Sequence, residues 1–346
     1  MMTTGATISG RPPAYLRLVE LLMGARITRA LCVIVDKNIP DLLGDEPKSA
    51  AELAPQTGLP MESLRRLMRS LAYAGVFQED GDGHFSNTDV SAYLRSDSNP
   101  SLREMSLVLN DDTVLRGWQT LERVLATGTP GYIEVNGMNF FQYLASDVTR
   151  SENMARFMRG IYGPEGPRIA AGFRFGRFGR VLDVGGGSGN ILADLLHAHP
   201  ALKGGVFDLP RTAEVARQFL AEQGLGDRFE VIAGDFFAEV TPGYDAYFVK
   251  SVLVGEDDTK SVQLLENIRK AMPENGSVLI VEIVLQPGKP IGHPHRLIDL
   301  EMMVTLGGKL RTADEFAALL SRAGLRFEGV HDVEGSFHSI VEGSRA

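Results

Sequence analysis

The sequence is poor in cysteine. Cys32 is the only one in 346 residues. It stands in an apolar, helix-patterned stretch, which excludes an internal disulfide framework and fits a reducing compartment. An excess of basic residues is also missing. The 35 Lys and Arg against 44 Asp and Glu leave a net charge of −9, so a general affinity for nucleic acid or anionic membrane is not favoured. No apolar run reaches the ~18 residues of a membrane span, and the first residues lack the basic-then-apolar order of a secretion signal. A cytoplasmic protein is the expectation. Repeats and low-complexity tracts are absent too. The length allows two domains and a large core.

What is present centres on Val181-Leu-Asp-Val-Gly-Gly-Gly-Ser-Gly-Asn190. Val181, Leu182 and Val184 read as a short buried strand. The glycines after it allow a tight turn and close backbone approach to a ligand. Leu192, Leu195 and Leu196 then recur at helical spacing. Strand, glycine turn and helix N-terminus together make a nucleotide site. Gly185, Gly187 and Gly189 give G-x-G-x-G, not the dinucleotide pattern G-x-G-x-x-G, because Asn190 holds the place of the third glycine. Asp208 follows about 20 residues on, where a ribose-binding acid is expected.

Upstream, residues 1–13 read as loose. Tyr15, Leu18, Val19 and Leu22 mark one amphipathic helix, and Ala30, Leu31, Val33 and Ile34 a second. An apolar helix face at this position suggests a partner subunit or ordinary packing. Ser49-Ala-Ala-Glu52 is a capping box. Leu64, Leu67, Met68 and Leu71 form the next helix, and Gly75 ends it. Val76–Gln78 and His84–Ser86 flank Asp80-Gly-Asp-Gly83 as a hairpin. Helix, turn, helix, hairpin is a winged-helix arrangement. Arg65, Arg66 and Arg69 would then face DNA or simply form a solvated face among Glu62, Glu79, Asp80 and Asp82. Residues 100–163 read as mostly helical, rich in aromatics and Met, with a junction at Gly163–Gly166.

From about residue 178 strands and helices alternate. The expected strands are 180–184, 204–208, 229–233, 244–249, 277–282, 325–330 and 337–342, the last two antiparallel. This is a doubly wound α/β sheet. Ligands gather at the carboxyl ends of such strands, where Asp183, Asp208, Asp235 and Lys250 fall. Thr312-Ala-Asp-Glu315 is a second capping box.

At these residues the chain resembles class I S-adenosylmethionine-dependent O-methyltransferases, of the two-domain type represented by caffeate, acetylserotonin and bacterial polyketide O-methyltransferases. The resemblance runs from about residue 15 to 342. It rests on Leu182–Gly189, Phe207-Asp-Leu-Pro210, Gly234-Asp-Phe-Phe237 and Gly307-Gly-Lys-Leu-Arg-Thr312. It implies a Rossmann-like methyltransferase sheet and an N-terminal, mainly helical winged-helix domain for homodimerisation. The domains are expected at 14–100 (dimerisation), 101–165 (helical linker and substrate cleft) and 166–346 (donor binding). It further implies that Asp183, Gly185 and Gly187 wrap the methionine end of S-adenosylmethionine. Asp208, with Leu209 beside it, would hold the ribose. Asp235 and Phe236 would hold the adenine, and Lys250 would lie near it. Phe157, Met158, Met302 and Met303 would line an apolar acceptor pocket around Val254, for an aromatic small molecule. Methionines suit flat rings because sulfur is polarizable and the side chain adapts. Neither nucleic acid nor membrane is an implied partner.

The chain departs from the family's chemistry at one place. Many relatives carry a catalytic histidine where Val254 stands in Val252-Leu-Val-Gly-Glu-Asp-Asp258. Of two glutamates that orient that histidine, Glu282 matches one and Leu310 replaces the other. Three explanations compete. Methyl transfer proceeds by positioning, with no base at this site. Alternatively His293, His295, Asp257, Glu256 or Glu282 is the base. In the third, the fold binds the donor but hydroxylates, decarboxylates or rearranges its substrate. Nitrogen or carbon acceptors stay open, and a DNA-binding regulator is the outlying reading. His293, His295 and Asp299 lack a close further ligand, so no metal site is expected.

Overall fold

The computed structural model describes residues 12–162, 165–286 and 295–346. Residues 1–11, the junction residues Gly163 and Pro164, and the loop histidine His293 lie outside the described residues. The chain divides into two compact units. One comprises residues 1–115 and 144–161, the other 116–143 and 162–346. The helical stretch 101–165 is therefore shared between them.

In the first unit, α1 (Pro13–Asp36) runs unbroken for 24 residues. Two helices were expected. Gly24 lies between their apolar stripes, but a glycine inside a helix costs only about 1 kcal/mol relative to alanine, which a helix this long absorbs. α2 (Ile39–Leu43) carries Pro40 in its first turn. β1 (Lys48–Ser49) leads into α3 (Ala50–Thr57), whose Ser49–Glu52 capping box is formed, and Gly58 at φ +70 ends it. α4 (Met61–Tyr73) buries Leu64, Met68 and Leu71. β2 (Phe77–Glu79) and β3 (His84–Asn87) form the hairpin, and β1 adds to β3. Ile34, Ile39, Leu53, Phe77 and Phe85 complete this core. Arg65 is paired with Glu62, and Arg69 with Glu79.

α5 (Asp89–Ala92), α6 (Arg103–Val108) and α7 (Asp112–Trp118) follow, then α8 (Leu121–Thr127), α9 (Gly131–Asn136), α10 (Phe140–Ala145) and α11 (Val148–Tyr162). α8 and α9 belong to the second unit, and α11 to the first apart from Tyr162.

The second unit continues with α12 (Glu165–Gly172), β4 (Arg180–Val184), α13 (Asn190–Ala198), β5 (Lys203–Asp208), α14 (Pro210–Ala221), β6 (Phe229–Ala233) and β7 (Ala246–Lys250). Next come α15 (Asp258–Ala271), β8 (Ser277–Glu282), β9 (Val284–Leu285), α16 (His295–Thr305), β10 (Arg311–Thr312), α17 (Ala313–Arg322), β11 (Leu325–Asp332) and β12 (Ser339–Arg345). The main sheet has the order β11-β12-β8-β7-β4-β5-β6. β4 to β8 are parallel, and β12 is antiparallel to both β8 and β11. All seven expected strands are present. β12 starts two residues late because Phe337 and His338 leave the ladder to bond Glu165. β4 is buried at Val181, Leu182 and Val184, as a central parallel strand requires. The direction of winding reverses between β4 and β7, so a crevice opens at their carboxyl ends.

Candidate active site

That crevice is where the glycine turn lies. Gly185, Gly187 and Gly189 have φ of +73, +60 and +82, a region closed to most side chains. A Cβ on Gly185 would come within 2.8 Å of Val252 Cγ2, whereas one on Gly187 would meet nothing within 4 Å. The turn is thus packed beneath and open at Gly187. Asp208, ending β5, ties the turn to the next strand. Its Oδ2 accepts from Gly187 N–H at 2.9 Å and its Oδ1 from Leu209 N–H at 2.7 Å. Burial raises its carboxyl above the usual range, against the pull of these two amides and of Thr212.

Beyond β6, Asp235 accepts from Phe237 N–H at 2.8 Å and so fixes its own turn. The Phe236 ring reaches the glycine turn, 3.4 Å from where a Gly185 Cβ would stand. The backbone here is pinned from α15. Asn267 donates from Nδ2 to the carbonyls of Phe236 and Phe237, both at 3.0 Å, and Gln263 donates to Phe237 O at 2.8 Å. Sequence reasoning missed Asn267. Its signal is an amide among Leu264, Leu265 and Ile268, at a buried helix position that demands a polar partner.

The ends of β4, β7 and β8 gather the ionisable groups. Asp183 is buried and pushed up to about 7 by that burial and by Asp208, with Lys250 opposing. Glu282 is likewise buried and pushed up to about 7. It accepts from Val254 N–H at 3.2 Å. Burial lowers Lys250, while Glu165, Glu282 and Asp183 pull it back up. Its ammonium lies 4.9 Å from the centroid of the Tyr162 ring. Lys250 ends β7, three strands from β6. The lysine's charged neighbours are thus Glu165, Glu282 and Asp183.

An O-methyltransferase domain matches residues 118–326, and an O-methyltransferase dimerisation domain matches residues 19–97. The chain belongs to this O-methyltransferase family. It is 34% identical to phenazine O-methyltransferase of Lysobacter antibioticus, over 96% of this chain and 97% of that one. The solved mitomycin 7-O-methyltransferase superposes with a TM-score of 0.90 at 34% identity, covering 96% and 98% of the two chains. An O-methyltransferase from neocarzinostatin biosynthesis superposes with a TM-score of 0.79 at 32% identity, covering 99% and 100%. That structure holds S-adenosylmethionine and 2-hydroxy-5-methyl naphthoic acid.

Within this methyltransferase the remaining candidate residues have structural duties. Asp257 is the N-cap of α15, its Oδ1 accepting from Lys260 N–H at 2.9 Å. Glu256 pairs with Lys260 at 3.2 Å. Asp299 accepts from Leu310 N–H at 2.7 Å, which occupies one oxygen of the carboxylate considered for a metal. His295 opens α16. Val254, Met302 and Met303 are half-buried in the second unit, and Phe157 and Met158 are on α11 in the first. Glu301, between Leu300 and Met302 on α16, accepts from the Trp118 indole at 2.6 Å and from Thr305 Oγ1 at 2.5 Å.

Arg311 was read only as part of a motif, and its role is larger. It is 1% exposed. Its guanidinium donates to Leu253 O at 2.7 Å, Glu256 O at 2.8 Å and Asp258 Oδ1 at 2.9 Å. The segment that presents Val254 is thereby held from below by Arg311 and at its amide by Glu282.

Proposed function

We propose that this methyltransferase moves the methyl group of S-adenosylmethionine to a hydroxyl of an aromatic or polyketide-like small molecule, with no side-chain base at the position of Val254. One observation carries the reading: an intact donor cradle beside an apolar, firmly held Val254. The donor fits the residues present. Gly187 leaves open space, Phe236 offers a ring face, and Asp208 keeps acceptor capacity for a pair of ribose hydroxyls after taking two amides. Asp235 and Phe236 take the adenine. Lys250 is taken at the methionine end rather than the adenine, because Asp183, Glu282 and Glu165 are its charged neighbours.

When bound, the donor supplies an electrophilic methyl on a sulfonium. The protein then has to hold the acceptor oxygen in line and keep water out. Positioning of this kind supplies about 7–11 kcal/mol, whereas a general base typically adds about 10²–10⁴-fold. Val254, Met302 and Met303 form the apolar wall that orients a flat ring. In this reading Glu282 holds the Val254 amide rather than taking the acceptor's proton. The first unit mediates a homodimer through the exposed Leu18, Leu21 and Leu22 of α1.

Incubation with methyl-labelled donor and a panel of phenolic metabolites tests the reading. Labelled methyl ether is expected. Donor uptake with no methylated product, or substrate turnover with the donor unconsumed, sinks it. Asp208→Ala should weaken S-adenosylhomocysteine binding by about 100-fold, since two hydrogen bonds to a charged acceptor are lost.

A further inference from the structure

Ser251 has φ +54, one of two non-glycine residues among the described residues with positive φ. Such a backbone is strained for a side chain and persists where the surroundings impose it. Glycine would remove the strain but also the hydroxyl, and the hydroxyl is fully engaged. Ser251 Oγ lies 3.3 Å from Lys250 Nζ and 3.1 Å from His338 Nε2. The other ring nitrogen of His338 bonds Glu165, which also accepts from Phe337 N–H at 2.8 Å. The side chains of His338 and Glu165 are 1% and 2% exposed. The Tyr162 ring packs edge-on against His338, with centroids 5.1 Å apart.

The hydrogens in this chain can run in only one order. Burial pushes Glu165 up, but the His338 hydrogen bond, with Phe337 N–H and Lys250, holds it below the usual range as a carboxylate. His338 Nδ1 must therefore carry a proton. Burial lowers His338, against the pull of Glu165, and so keeps it neutral. Its Nε2 is then an acceptor, filled by the Ser251 hydroxyl. The serine lone pairs are left for the Lys250 ammonium. The charged and titratable groups facing His338 are Glu165 from α12, Tyr162 from the end of α11 and Lys250 from β7. Asp183 and Glu282 face Lys250 from β4 and β8.

We propose that Glu165, His338 and Ser251 form a buried positioning relay that locks the Lys250 ammonium in place for the amino-acid carboxylate of the donor. The strained serine is retained for its hydroxyl. This rests on the donor site proposed above, with Lys250 at its methionine end. None of the three relay residues touches the acceptor or the reacting methyl. They act through Lys250, and their effect is confined to ligands that carry the amino-acid end.

Calorimetry with two probes, S-adenosylhomocysteine and 5′-methylthioadenosine, separates the possibilities. The second shares the nucleoside but has no amino-acid group. Ser251→Gly adopts the same backbone without strain and should fold with an unchanged or higher Tm. Its affinity for S-adenosylhomocysteine should fall about tenfold, the loss of one charge-assisted bond, while that for methylthioadenosine stays within about twofold. His338→Gln, whose amide both donates and accepts, should retain binding, and His338→Leu should lose it as Ser251→Gly does. Unchanged S-adenosylhomocysteine binding in Ser251→Gly, or an equal loss for both probes, overturns the relay while leaving the donor site standing. Wild-type protein that binds neither probe removes the donor site, and the relay with it.

Discussion

Val254 donates its amide hydrogen to Glu282 Oε1 across 3.2 Å. This acid, which the family resemblance would assign to a histidine, here bonds a backbone amide, and the side chain above it is a valine. A proton released on methyl transfer thus has no titrating side chain waiting at that position. The pH profile of kcat/KM should follow the acceptor instead. Two phenols whose own pKa values differ by about two units should give inflections displaced by about the same amount. Identical inflections for both acceptors would assign the titration to the protein and defeat the base-free reading.

Glu282 also sets a stability prediction. Its carboxyl, pushed up to about 7 in the fold, titrates near 4.3 in the unfolded chain. Between these values the native state holds the proton that the unfolded chain has released. Stability from this group is full below about pH 4, declines as pH rises, and is flat above about 7. Glu282→Gln cannot titrate. Relative to the parent it should gain about 3 kcal/mol between pH 4.5 and 8, read from urea denaturation at each pH. A difference that stays flat with pH would remove Glu282 as the source.

Much of the second unit is legible in the chain because parallel strands are buried on both faces. Val278–Val281 is an apolar run, and Val181, Leu182 and Val184 surround a single buried acid, Asp183. The glycine turn and the strand-end place of Asp208 are legible for a related reason: a tight turn and a strand end each restrict residue type. What the sequence concealed is contact across the sheet. Nothing in the spacing of Glu165, Ser251 and His338 says that they meet, since the contacts span 87 and 173 positions. The same holds for Lys250, whose motif names a neighbourhood but whose strand fixes which side of it. The length of α1 escaped because one Gly24 counts for little against 24 helical residues.

Arg311 offers a sharper structural test. Three carbonyls, one hydroxyl and one carboxylate converge on a guanidinium that is almost wholly buried. Arg311→Met keeps the volume and deletes every donor, leaving Leu253 O and Glu256 O without their partner. The expected loss is about 3–5 kcal/mol, with new protease cleavage inside 252–258. Asp258→Asn should cost less than about 1 kcal/mol, because that partner's side chain is 39% exposed and water can replace it. Equal costs for the two variants would show that the carboxylate, not the backbone carbonyls, is what Arg311 serves.

The homodimer proposed above uses the face of α1. Leu18, Leu21 and Leu22 are 56%, 61% and 69% exposed, more apolar surface than one helix leaves to water without a partner. Because they contribute little to the core of the single chain, Leu21→Glu with Leu22→Glu should leave the circular dichroism and Tm of the protomer nearly unchanged. Dimerisation should suffer. Burying a leucine is worth about 1.5–3 kcal/mol, and a two-fold axis counts each residue twice. The double variant therefore loses on the order of 6–12 kcal/mol of association energy, enough to give monomers at micromolar concentration in sedimentation velocity. A double variant that still sediments as a dimer would move the interface off this face, and a wild-type monomer would deny the interface altogether.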